Sequence, residues 1–186
     1  QTLGGFAATL ADALNEVHNE NVSAPALGAL TGRQTGLLAG DALSFTGRAS
    51  IGVVDAGGVL RERLSIDFDA KTITGEAPAA TYSFAGGTVG DFASALNAAL
   101  GAATPAGSAS FTNGVLSLNT SAGGGLAVQQ DSANPSARAG RGFAHFFGLN
   151  DIVTRPTPLF FETGLKGTDA HGLNAGGEIS YEVRDA

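Results

Sequence analysis

Apolar residues near the start of the chain, Leu3, Ala7, Leu10, Leu14 and Val17, recur at alternating spacings of four and three. That spacing places one narrow stripe along a helix over residues 2–19, with the period of an a/d seam. Asp12, Glu16 and Glu20 fall off the stripe and are assigned to a solvated face. The seam suits an amphipathic helix packed on its own domain at least as well as it suits an intermolecular coiled coil. Residues 21–41 hold Pro25 and four glycines without a sustained period, and are expected to form a linker.

The period then changes to two. Leu64, Ile66 and Phe68 alternate with Ser65 and Asp67, which predicts a strand with one buried face, and Asp69-Ala70-Lys71 reads as a turn into a short strand over 72–74. Asn113-Gly114 separates Ser110-Phe111-Thr112 from Val115-Leu116-Ser117-Leu118, and Asn-Gly readily takes the positive φ angles of a type I′ hairpin turn. Between these strands Thr88 and Asp91 have capping-box spacing. A helix over 91–100 follows, with Phe92, Leu96, Ala99 and Leu100 on one face and Gly101 expected to close it in a left-handed conformation.

Asn134-Pro135 reads as an N-cap with proline at the first helical position, so a third helix is expected from there to Phe147, ended by Gly148. Pro156 and Pro158 favour extended backbone before them, and Glu178 to Val183 alternates as a final strand.

Composition narrows the function. Seventeen acidic residues against ten basic ones give a net charge of −7, without a Lys/Arg cluster, which disfavours nucleic acid and anionic membranes as partners. There is no Cys, which excludes disulfides, thiolate zinc sites and thiol nucleophiles together. No segment reaches the roughly 20 consecutive apolar residues of a membrane span. The chain contains no Met, so it is expected to be an internal fragment of a longer polypeptide.

Candidate chemistry is sparse. His18, His145 and His171 are far apart in sequence, without an i, i+4 pair, and the neighbours Phe143, Phe146 and Phe147 make His145 a packed, hydrogen-bonded histidine. Asp67 and Asp69 resemble the opening of a calcium loop, but Lys71 stands where the third ligand belongs, and the spacing fails thereafter. The glycines at 57–58, 86–87 and 123–125 lack a Gly-Lys-Ser/Thr ending and read as turns. No Gly-x-Ser-x-Gly elbow is present, and Asn21-Val22-Ser23 and Asn119-Thr120-Ser121 are glycosylation-type triplets short enough to arise by chance. Catalytic, cofactor and metal residues are therefore all assigned as none, and an enzyme is not expected.

Two segments carry a family likeness: Leu10-Ala11-Asp12-Ala13-Leu14-Asn15-Glu16-Val17-His18-Asn19, and Gly142-Phe143-Ala144-His145-Phe146-Phe147-Gly148-Leu149-Asn150-Asp151. Together with Leu30-Thr31-Gly32-Arg33-Gln34-Thr35-Gly36-Leu37 and Thr163-Gly164-Leu165, they resemble the flagellar hook-associated protein 1 family, the hook–filament junction proteins. In that family an early helix reading roughly LA-x-x-LN-x-VH is followed, after a variable β-rich insertion, by GF-x-HFFGLND. The resemblance implies an α+β fold in which both ends of the chain build a helical part, residues 1–42 and 131–186, around a β-rich insertion at 43–130 carrying one short helix. It further implies export through the flagellar secretion apparatus with a chaperone, an extracellular site in the flagellum, and partners among axial proteins: the hook protein, hook-associated protein 3 and copies of itself. Leu10, Leu14, Val17, Phe143, Phe146 and Phe147 are the expected packing or interface anchors. Hook-associated protein 3 or a flagellin-like protein is the near alternative. A secreted adhesin or carbohydrate-binding module is the distant one, disfavoured by two tyrosines and no tryptophan.

Overall fold

A computed structural model describes residues 3–154. The expected strand at 178–183, the segment around Pro156 and Pro158, Thr163-Gly164-Leu165 and His171 lie outside the described residues. The elements run α1 (Leu3–Asn19), β1 (Ala29–Thr31), β2 (Arg48–Val54), β3 (Leu60–Asp67), β4 (Thr72–Glu76), β5 (Ala79–Ser83), α2 (Val89–Ala102), β6 (Gly107–Thr112), β7 (Val115–Thr120), β8 (Gly125–Gln130) and α3 (Phe143–Phe147). The class is α+β, with two antiparallel sheets ordered β5-β4-β3-β2-β8 and β1-β7-β6.

Strand alternation sets the core. Ile51 and Val53 of β2, Leu64 and Ile66 of β3 and Ile73 of β4 point inward from the larger sheet. Leu30, Leu116 and Leu118 do so from the smaller one, and α2 adds Phe92, Leu96, Ala99 and Leu100. These side chains and Phe143, Phe146 and Phe147 of α3 form one continuous buried cluster. Glu62 is also buried at an inward position of β3, where its carboxylate accepts the amides of Glu76 at 2.6 Å and Ala77 at 2.8 Å. Those bonds supply the compensation that a buried charge requires.

The β6–β7 hairpin forms as its turn residues dictate, with φ of 51° at Asn113 and 79° at Gly114. The Thr88–Asp91 capping box is complete in both directions. Replacing Thr88 with Ala should cost about 1 kcal/mol, the usual worth of an N-cap. A urea melt of the variant checks it.

Three expectations need correction. Gly101 lies within α2, which runs on to Ala102 and is capped by Ala103 in extended backbone. The presumed linker contains β1, which pairs with β7, and buries Leu30 and Leu37 in the core. The third helix begins at Phe143, with Gly142 as its N-cap, and not at Asn134. Residues 134–137 instead lie extended beside the entry to β2: Asn134 O accepts the Arg48 amide at 2.7 Å, and Thr46 and Ala137 exchange amide bonds at 3.1 and 3.0 Å. An Asn-Pro pair satisfies an extended segment as readily as a helix start, and backbone partners far away in the sequence, at Thr46 and Arg48, decide between them. Gly148 does close α3, at φ 68°.

Candidate interaction face

Gly148 turns the chain back after α3, so that residues 149–153 run beside α1. Asn15 reads this segment like a strand partner: its amide donates to Val153 O at 2.8 Å, and its carbonyl oxygen accepts Ile152 N at 3.1 Å and Val153 N at 2.9 Å. One turn on, Asn19 accepts Asn150 N at 3.0 Å and donates to Asp151 Oδ1 at 2.8 Å. His18 Nδ1 donates to Asn150 O at 2.6 Å, and the Asn150 side-chain amide donates to His18 O and Asn21 O.

Asp12 anchors the other end. Its carboxylate takes Arg141 Nη2 at 2.8 Å and His145 Nε2 at 3.1 Å, with Arg33 Nη1 at 3.6 Å. Arg33 also reaches Asp151 at 2.8 Å. Burial works against the Asp12 charge, yet the Arg141 guanidinium and the hydrogen bonds from His145 and Arg141 outweigh it and hold the carboxyl below its ordinary range. Asp12 is thus the centre of an ion network rather than a solvated side chain.

The face of α1 that meets the body is therefore polar, with Asn15 and Asn19 buried beside Ala11. The apolar stripe turns the other way. Phe6, Leu10, Leu14 and Val17 are 59, 50, 45 and 61% exposed, so none of the predicted α1 anchors packs among the described residues. Phe143, Phe146 and Phe147 are 0, 3 and 0% exposed. Sequence pattern separated these two groups of anchors in no way, because an apolar stripe reports a face that favours leaving water without reporting what covers it.

Sequence reasoning missed Arg33, Arg141, Asn15, Asn19 and Asn150 as the fittings of α1. The available signal was the set Asp12, Asn15, Asn19 at spacings of three and four, a polar stripe on the helix side opposite the seam. Arg138 is likewise buried, donating to Ala42 O and Leu43 O and lying 4.8 Å above the Phe146 ring.

Asp67 is engaged by the Ala70 amide at 2.8 Å and Arg48 at 2.8 Å, and Asp69 by the Gly47 amide at 3.0 Å. No group of three or more metal-ligating side chains occurs among the described residues. No described helix is long and apolar enough to cross a membrane. Comparison with protein-family models, with curated proteins and with solved structures finds no match to this chain.

Proposed function

We propose that this chain is a structural subunit of the bacterial flagellum, acting as an adaptor of the hook-associated protein 1 type at the hook–filament junction. The observation that carries the reading is α1: a helix held on one side by a polar cradle while a heptad-spaced apolar stripe stays open on the other. A side chain such as Leu10 or Val17 gains stability only when covered, so the arrangement suits a helix that is completed by assembly. The family-like segments bear on the same place, since Asp12, Asn15 and Asn19 come from the first and His145, Asn150 and Asp151 from the second.

In this reading residues 1–42 and 131–186 make the helix-containing part that faces other subunits, and 43–130 make the β-rich part that projects outward. The two share the aromatic cluster in which Phe143 meets Phe68 and Phe92. The role is mechanical, coupling axial segments of different stiffness; no catalysis is involved. The subunit is exported through the flagellar secretion apparatus with a chaperone and acts outside the cell, against hook protein, hook-associated protein 3 and copies of itself.

The test is complementation of a junction-protein deletion strain with the full-length gene and with a Leu10→Ser/Leu14→Ser variant. Wild type should restore swimming, and the variant should be secreted but fail to hold filament. Swimming undiminished by the variant, or no rescue by the wild type, would overturn the proposal.

A further inference from the structure

Asn113 is the only asparagine in the chain followed by glycine, and it sits exposed at the tip of the β6–β7 hairpin. Glycine places no side chain beside the following amide nitrogen, so that nitrogen meets little obstruction in attacking the asparagine side chain. The Asn113 side chain makes no hydrogen bond among the described residues, whereas those of Asn15, Asn19, Asn97 and Asn150 are tied down. The reaction open to this pair is hydrolysis without an enzyme. The Gly114 amide nitrogen gives up its proton and bonds to Asn113 Cγ, ammonia leaves, and water then opens the five-membered imide at either carbonyl to give aspartate or isoaspartate.

The fold opposes the first step. Positive φ at both central residues, 51° at Asn113 and 79° at Gly114, makes the turn type I′. Ring closure brings the Gly114 nitrogen alongside Asn113 Cβ, at a ψ of about −120°, which is the geometry of a type II′ turn and carries negative φ at the second residue. The peptide plane between the two residues must therefore flip, and φ of Gly114 must change sign. Residues 34–36 grip Gly114 against that change. Its carbonyl accepts the Thr35 amide at 3.0 Å and the buried Thr35 hydroxyl at 2.7 Å, and Gln34 Oε1 occupies the space beside its Cα.

We propose that Asn113 is a site of spontaneous deamidation guarded by this grip: it stays an amide while the hairpin is docked on residues 34–36, and converts when the chain is unfolded or the grip is released. The product undoes the docking. Isoaspartate carries the main chain through its Cβ, inserting one carbon ahead of Gly114, so the two-residue turn and the Thr35 bonds do not both persist. The gripped segment adjoins Arg33, whose amide donates to Phe147 O at 2.7 Å and whose guanidinium holds Asp151 at 2.8 Å. Deamidation at the hairpin tip is thereby linked to the residues that hold α1.

The test is peptide mapping of the protein kept warm at mildly alkaline pH, with and without urea, aspartyl and isoaspartyl peptides being resolved by chromatography. Asn113 should be the first asparagine lost, and urea should speed its loss about tenfold or more, the worth of two hydrogen bonds to Gly114 O. Thr35→Val keeps the shape of the side chain and removes the hydroxyl, with its bonds to Gly114 O and from Leu37 N. Without urea, where a melt shows this variant folded, its Asn113 should be lost about fivefold faster than in the parent. If the variant does not fold, the comparison of the parent with and without urea decides alone. The isoaspartyl form, separated chromatographically, should exchange the Arg33 and α1 amides faster than the parent. Earlier loss of another asparagine, equal rates in the folded and unfolded chain, or a folded Thr35→Val variant at the parent rate would each overturn the guarded site. Unchanged exchange at Arg33 and in α1 would overturn its link to the helix.

Discussion

Replacing Phe143 with alanine is expected to destabilise the fold by about 3–5 kcal/mol, the range for deletion of a core aromatic. Its ring is fully buried and meets Phe45 at 6.0 Å, Phe68 at 5.6 Å, Phe92 at 5.6 Å and Phe147 at 5.5 Å between centroids. Those partners come from the segment before β2, the residue just after β3, α2 and α3, so the cavity left behind would loosen contacts among four parts of the chain at once. Edge-to-face geometry with Phe45, Phe92 and Phe147 adds to what area alone provides. Phe6→Ala serves as the contrast: its ring is mostly exposed, and its loss should change stability by no more than about 0.5 kcal/mol. Denaturant melts of both variants check the pair. A neutral Phe143→Ala would mean that the aromatic cluster is not the keystone of this core.

Much of the fold was readable where the determinants are local. The Asn113-Gly114 turn needs only two residues able to hold positive φ, and the Thr88–Asp91 box needs only a spacing of three, so neither depends on distant partners. The extent of α1 was readable for the same reason. Its orientation was not. The residues that fix α1 meet partners more than a hundred positions away, Asp12 with Arg141 and Asn15 with Val153, and nothing in residues 3–19 announces them.

The misreading of residues 134–141 has a related cause. Proline at 135 is equally comfortable in the first turn of a helix and in an extended segment, so the decision falls to Thr46 and Arg48, whose backbone groups offer an edge to pair with. In the candidate site, Leu10, Leu14 and Val17 were found by pattern and Asp12 was set aside as solvated because acidic residues on helices usually are. The cost of ordering such a helix through polar contacts alone is substantial. That a chain nonetheless holds α1 this way, with its apolar side open, is why the stripe reads as an interface rather than as an accident of composition.

The polar cradle makes the attachment of α1 separable from the stability of the sheets, and Asp12→Asn tests this. Asparagine keeps the shape but removes the charge that Arg141, Arg33 and His145 converge on, and bonds to a charged group are worth about 1.5–3 kcal/mol where well enclosed. Asp12 remains about one-third exposed, so screening by water reduces the loss, to about 1–2 kcal/mol. Hydrogen exchange should show it as faster exchange of the α1 amides, with β2, β3 and α2 unchanged, because the stripe gives α1 no second attachment among the described residues. Acid should reproduce the effect in the wild type. The folded-state pKa of Asp12 is depressed, so its contribution is fully present above the ordinary aspartate value of about 3.9 and disappears as pH falls through the lower folded value. Docking of α1 should therefore be steady from neutral pH down to about 4 and weaken below it, while Asp12→Asn should show a smaller change over the same acid range. Uniform exchange of α1 and β2 amides in the variant, or an acid response unaltered by the substitution, would show that Asp12 does not govern how the helix is held.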